Sequence, residues 1–239
     1  MAKRPVYIPK LNSESSGVIV KNVEFKWFPG MSKSQKQKSI LSLHEAAGEK
    51  NISPILEISS KSDSVLGVQL SAFNLMITTK KLSKVFSVET AFQSSKVFEK
   101  GGPYIDLLLG TSREAKKDIR LLESGNLVKF IFFSKEFNLK PRTLFYDWLY
   151  INALHQNEEL SDGLVLYRGF TDIEFNPKRS INCQAYSAAL YVSLKNMGTI
   201  KEALESPETF LEILNDEYNK RDRAFSIQKT LIWTDLTIS

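Results

Sequence analysis

The apolar positions along 87–100 repeat with helical spacing. At about 100° per residue, Val88, Ala91, Phe92, Ser95 and Phe98 fall on one side. Glu89, Gln93, Lys96 and Lys100 fall on a neighbouring side. The Glu89 carboxylate and the Lys96 amine then stand about 10 Å apart along the axis. That is too far for an ion pair and wide enough for a small ligand. Periodicity alone favours the plainer reading, an amphipathic helix with a solvated polar face.

The rest of the chain alternates between short strands and helices. A strand is predicted at 6–8, fenced by Pro5 and Pro9. A polar turn at 12–17 leads to a strand at 18–27, where Val23, Phe25 and Trp27 alternate with Glu24 and Lys26. Pro29-Gly30 ends it. Ser32 or Ser34 starts a helix to about 50, with Ile40, Leu41, Leu43, Ala46 and Ala47 as its apolar side. Further strands are read at 54–59 and 127–133, and an extended stretch at 67–77. The helix over 87–100 stops at Gly101-Gly102-Pro103, and a short helix at 103–109 follows. A Thr111–Glu114 capping box opens a helix to about 123. Helices are predicted at 141–155, 158–166, 185–197 and 206–220. The tail is either loose or adds a strand at 230–233. Residues 168–184 mix carboxylates, amides, aromatics and cations with no period, as functional loops do. The pattern predicts an α+β fold: one predominantly helical domain over 1–239, with a small sheet from N-terminal and central strands. It divides into an extension to about 70, a core at about 71–197, and a C-terminal helix and tail at 198–239.

Charge adds a hint about partners. The formal net charge is +5 and the pI about 9.1, which mildly favours an anionic partner. Lys33, Lys36 and Lys38 crowd the start of a helix, where cations oppose the macrodipole. A second basic face carries Arg113, Lys116, Lys117 and Arg120. The 15 phenylalanines can pack a core or stack on bases. One cysteine forbids an intramolecular disulfide, and two histidines leave no Cys/His zinc set. The carboxylates leave room for a Mg²⁺ site, but no metal or cofactor is expected. No apolar run spans a bilayer and no signal peptide is read, so the expected location is the cytoplasm.

Several chemistries are excluded. There is no GxGxxG after a strand, no P-loop and no GxSxG elbow. Cys183 has Arg179 nearby but no histidine partner, and reads as a buried thiol. What remains is Glu89, Lys96, Asp172, Glu174, Phe175 and Asn182. Carboxylates with a lysine suit cleavage of a glycosidic bond, whose transition state resembles an oxocarbenium ion. A lysine of lowered pKa can also attack an opened ribose.

The stretch Ser87-Val88-Glu89-Thr90-Ala91-Phe92-Gln93-Ser94-Ser95-Lys96-Val97-Phe98 resembles the core helix motif of the NADAR superfamily, the YbiA-like N-glycosidases. Phe73-Asn74 is similar to the upstream F-S-N-F element. Thr171-Asp172 resembles the acidic element, and Asn182 with Ala185 and Leu190 the closing helix. Trp27-Phe28-Pro29-Gly30, Ser34 to Ile40, Phe98 to Tyr104, Phe145 to Tyr150 and Asp172 to Pro177 look like the NADAR antitoxins paired with DarT-type toxins. Two departures stand out. Thr90 replaces a frequent histidine. Ile173-Glu174-Phe175-Asn176-Pro177 replaces a Tyr-Trp-Gly loop.

The resemblance implies an ADP-ribosyl-guanine N-glycosidase acting on ADP-ribosylated DNA as an antitoxin, with the cognate DarT-type toxin as a partner. Glu89 is then the acid or base, and Lys96 a nucleophile or a stabilising cation. Asp172 or Glu174 is the second carboxylate. Phe73, Asn74, Gln93, Arg113, Phe175 and Asn182 are expected to bind substrate. Lys116, Arg120, Lys178 and Arg179 are expected to contact phosphates or nucleic acid. The alternatives are a small-molecule N-glycosidase of the riboflavin-intermediate type and a non-catalytic module that binds ADP-ribose or the toxin.

Overall fold

The computed structural model describes residues 1–11, 14–79, 83–176 and 180–236, with side chains up to 222. It opens with an antiparallel hairpin of β1 (Ala2–Pro9) and β2 (Val18–Phe25), in register from Ala2 opposite Phe25 to Pro9 opposite Val18. The strand at 6–8 is therefore longer than predicted. Pro5 lies within it because β1's other neighbour pairs with it only at Tyr7, so no ladder bond is lost at the proline. Next comes α1 (Lys33–Gly48), capped by the Ser32 hydroxyl, which accepts the Gln35 N–H at 3.3 Å. Ile40, Leu43 and Ala47 turn onto the hairpin and form a small core with Val6, Val23, Phe25 and Ile173. Leu41, predicted on the apolar side, is exposed.

β3 (Ile55–Glu57) leads to α2 (Val65–Gln69), a helix where an extended stretch was predicted. A Cβ on Gly67 would stand 2.0 Å from the Glu57 carbonyl oxygen, so the glycine allows α2 to cross β3 closely. A turn over 71–74 then gives β4 (Met76–Thr78), β5 (Val85–Ser87), α3 (Val88–Ser94) and β6 (Lys96–Phe98). A 3-10 turn at Ile105–Leu109 precedes α4 (Ser112–Lys117) and α5 (Arg120–Glu123). These two were predicted as one helix. Asp118 interrupts them with an extended ψ of 126°, and its carboxylate binds Arg120 instead.

Then follow β7 (Leu127–Phe132), β8 (Lys135–Phe137), α6 (Leu144–Gln156), α7 (Glu158–Leu164), β9 (Gly169–Thr171), α8 (Gln184–Asn196), α9 (Ile200–Ala203) and α10 (Pro207–Leu236). The predicted strand at 230–233 is part of α10. The strands form a sheet of order β2-β1-β9-β3, a β4-β5 hairpin and a β6-β7-β8 sheet. β9 is parallel to β3 and antiparallel to β1. It was missed in sequence because only three residues pair, at the head of an irregular loop.

Helices α6 and α8 supply the main core, with Phe145, Tyr150, Tyr186, Leu190 and Tyr191 buried between the sheets. Many of the phenylalanines belong here. The Phe145 ring centroid lies 4.7 Å from Phe137 and 4.8 Å from Phe130, which lies 5.4 Å from Phe92. α10 is stapled to this core by Arg221, which contacts the buried Asp147 carboxylate at 3.2 Å and lies 3.6 Å from the Tyr186 ring centroid. The result is a single α+β domain with its helices gathered around the aromatic core. Among the described residues no helix is long and apolar enough to cross a membrane.

Candidate active site

α3 is held at its start by local hydrogen bonds. The Ser87 hydroxyl caps it by accepting the Thr90 N–H at 3.0 Å. The Glu89 N–H donates to the Ala72 carbonyl and the Val88 N–H to the Leu75 carbonyl, both at 2.9 Å. The Phe73 turn is therefore fastened to the first turn of α3. The Ser112 hydroxyl donates to the Phe73 carbonyl at 2.9 Å and brings α4 to the same place.

The predicted helical face linking Glu89 with Lys96 is corrected by the structure. α3 ends at Ser94. The Ser94 and Ser95 hydroxyls both donate to the Ala91 carbonyl, at 3.0 and 2.7 Å, which favours a turn over further helix. Lys96 is the first residue of β6, paired with Phe130 on β7. The two groups are nevertheless joined, through Gln93. Its side-chain amide donates to Glu89 Oε1 at 2.9 Å and accepts from Lys96 Nζ at 2.7 Å. Glu89, Gln93 and Lys96 thus form a continuous hydrogen-bonded row, with Glu89 and Gln93 buried.

The amine at the end of this row is perturbed. Lys96 Nζ lies 4.9 Å from the Phe92 ring centroid. Burial pulls its pKa down to about 8; the Glu89 carboxylate opposes the shift and the Lys116 ammonium adds to it. The backbone of Lys96 is fixed by Gly102, whose φ is +89° and whose Cβ position would lie 2.3 Å from the Lys96 carbonyl oxygen. The Gly101-Gly102-Pro103 break therefore allows a close backbone approach under the lysine.

Phe73 and Lys116 complete this end of the cluster. Lys116 Nζ is 3.9 Å from Glu89 Oε1 and 5.0 Å from the Phe73 ring centroid. Asn74, expected beside them, is exposed, and its amide donates to the Val68 carbonyl at 2.8 Å. Arg113 is exposed on α4. Arg120 is engaged by carboxylates, at 2.6 Å from Asp106 and 2.8 Å from Asp118. Lys178 and Arg179 lie outside the described residues.

The two candidates for a second carboxylate, Asp172 and Glu174, lie in the loop after β9. Asp172 Oδ1 accepts the N–H groups of Glu174 and Phe175, both at 3.0 Å. Burial raises its pKa and the neighbouring Glu57 raises it further, against these two hydrogen bonds. Glu174 is exposed and pairs with Lys36 at 3.1 Å. Phe175 packs against the main core. Asn182, just before α8, has a buried amide oxygen with no hydrogen-bond partner among the described residues. Tyr146 on α6 connects the two halves of the cluster. Its ring stands edge-on to Phe92 at 5.2 Å. Burial raises its pKa well above the usual phenol value, and the charges of Glu89 and Asp172 both add to the shift.

Sequence reasoning missed the support behind Asp172. Glu57 is buried in β3, and its carboxylate accepts the Thr171 hydroxyl at 2.7 Å and the Ile173 N–H at 2.8 Å. Burial raises its pKa. His44 Nε2 contacts the Thr171 hydroxyl at 2.8 Å, and burial pulls its pKa down to about 4. A cavity of about 260 Å³ lies beside His44, Glu57 and Asp63; Glu89 and Lys96 do not line it. The available signal was a carboxylate inside the apolar run Ile55-Leu56-Glu57-Ile58, a position that a buried strand seldom gives to a charge. Tyr146 had no such signal, because it is one of several aromatics in a largely buried helix.

An α+β domain that sets a carboxylate, an amide and a lysine of lowered pKa in one hydrogen-bonded row beside buried aromatics carries groups that bond-cleaving enzymes use. The family model of the DarT1-associated NADAR antitoxin matches residues 2–224. The chain belongs to that family. It is an antitoxin of an N-glycosidase-like superfamily, and its cognate partner is a DarT-type toxin. No curated protein matches the chain.

Proposed function

We propose that the protein is an ADP-ribosyl-guanine N-glycosidase that removes ADP-ribose from guanine in DNA and so reverses a DarT-type toxin. The observation that carries this reading is the row Glu89–Gln93–Lys96, which ends in an amine of lowered pKa. A free amine at neutral pH can attack an anomeric carbon, and a charged one can steady the developing oxocarbenium. Glu89, bonded on one oxygen by Gln93, keeps its second oxygen for a ribose hydroxyl and for proton transfer. Asp172 is the better second carboxylate, because Glu174 is held at the surface by Lys36. The substrate places the reaction with the cell's DNA, in the cytoplasm.

The test is incubation with DNA carrying ADP-ribosylated guanine, with products identified by mass spectrometry. The expected products are free ADP-ribose and unmodified guanine in intact DNA. Full activity in Lys96→Ala or Glu89→Gln overturns the assignment of roles. Turnover of a free nucleotide conjugate without turnover of DNA overturns the substrate.

A further inference from the structure

One feature of the chain stands outside the Glu89–Gln93–Lys96 row. It is the segment Trp27-Phe28-Pro29-Gly30-Met31 and the lysine-rich start of α1. The segment is fixed, not loose. The Lys26 N–H donates to the Ser42 hydroxyl at 3.2 Å, the Phe28 N–H donates to the Ser39 hydroxyl at 3.0 Å, and the Ser39 hydroxyl donates back to the Phe28 carbonyl at 3.2 Å. Two partly exposed rings are thereby mounted on α1.

Cations surround those rings. The Arg4 guanidinium lies 5.5 Å from the Trp27 ring centroid and Lys36 Nζ 5.1 Å from it, while Lys26 Nζ lies 5.1 Å from Phe28. Lys33 and Lys38 are exposed, with no ion pair among the described residues, and the first turn of α1 carries no acid. Met31 is 88% exposed at the tip.

This surface continues into the candidate site. Lys36 pairs with Glu174, two residues beyond Asp172. Ile173 is buried in the same small core as Phe25 and Ile40. A polymer lying across Trp27 and Phe28 would therefore run to the edge of the Asp172 loop. Arg120, the expected backbone contact on the other basic face, is already neutralised by Asp106 and Asp118.

We infer that the Trp27–Met31 segment and the start of α1 form a platform for a single DNA strand, holding its phosphates and stacking its bases beside the candidate site. The inference rests on the reading that DNA carries the substrate. A polyanion with flat bases fits a set of preorganised rings flanked by cations better than a protein surface does.

The test is fluorescence anisotropy with an unmodified single-stranded oligonucleotide and the full chain, so that it reads binding whether or not the chain cleaves ADP-ribosyl guanine. The Lys33→Glu/Lys38→Glu double variant should bind at least about tenfold more weakly, and the slope of log affinity against log salt should shrink by about 1.4 for two lost phosphate contacts. The charge-conserving Lys33→Arg/Lys38→Arg variant should keep both. Thermal unfolding followed by circular dichroism establishes that both variants fold. Unchanged oligonucleotide affinity in the Glu variant overturns the platform. So does loss of toxin binding with DNA binding intact, which would assign the surface to a protein.

Discussion

Lys96 lends itself to a prediction that separates its two candidate roles. With its amine at about 8, roughly a quarter of the molecules carry a neutral lysine at pH 7.5. An ordinary lysine would be neutral in about one molecule per thousand. If the amine attacks the sugar, the cleavage rate should climb with pH and level off above about 8. If it serves as a cation, the rate should fall over the same range. The Glu89 charge sets where that limb lies. Gln93 spans the two groups by hydrogen bonds of 2.9 and 2.7 Å. At the resulting separation of about 7 Å and an effective dielectric of about 20, the carboxylate stabilises the ammonium by about 2 kcal/mol, or about 1.5 pK units. Glu89→Gln keeps an acceptor for Gln93 and removes only the charge, so Lys96 should titrate lower than in the unchanged chain. The assay is NMR of ε-carbon-labelled lysine, which reads the titration without needing turnover, alongside single-turnover rates between about pH 6 and pH 10. A Lys96 resonance titrating at the ordinary lysine value, or one unmoved by Glu89→Gln, refutes the coupling through Gln93.

The remaining predictions concern the scaffold. Gly102→Ala forces a side chain into a φ of +89° and against the Lys96 carbonyl; it should cost about 1–3 kcal/mol and displace the lysine, read by thermal unfolding and by the Lys96 titration. Arg221→Ala leaves the Asp147 carboxylate buried without its cation and should destabilise the fold by about 3–5 kcal/mol, read by urea unfolding. His44 has a lowered pKa in the fold, so the unfolded chain binds its proton first. Its contribution to stability is full above the unfolded value of about 6.5 and is lost as pH falls toward 4, by about 3 kcal/mol at most. The His44→Gln variant should show a flatter acid limb in unfolding experiments, and an identical limb would remove His44 as the cause.

The strong elements could be read locally. The strands around 6–8 and 18–27, the caps at Ser32 and Thr111, and the helices that became α6 and α8 appear within a few residues of their places. Short elements could not. β9 is three residues long and exists because β1 and β3 leave a slot between them. α2 needs Gly67 against the Glu57 carbonyl, a contact across a turn that hydrophobic periodicity does not report. The helix predicted at 87–100 is longer than α3 because the apolar period continues through Phe98. The Ser94 and Ser95 hydroxyl bonds to Ala91 and the pairing of Lys96 with Phe130 end the helix.

Glu89 and Lys96 show the same division. The sequence determined that a carboxylate, an amide and an amine occur at 89, 93 and 96, because residue type and spacing are local properties. It set Glu89 and Gln93 one turn apart, so their hydrogen bond follows from helical geometry alone. Only the tertiary structure decided how the amine reaches them. β7 draws Lys96 out of the helix into a strand, Gly102 fixes its backbone, and Phe92 beneath it excludes water. Burial then lowers its pKa, since desolvation depends on every neighbour in space and not on the order of residues in the chain. Asp172 was visible as a carboxylate in an irregular loop. Its raised pKa came from burial first and then from Glu57, more than a hundred positions earlier, brought beside it by the parallel pairing of β3 with β9.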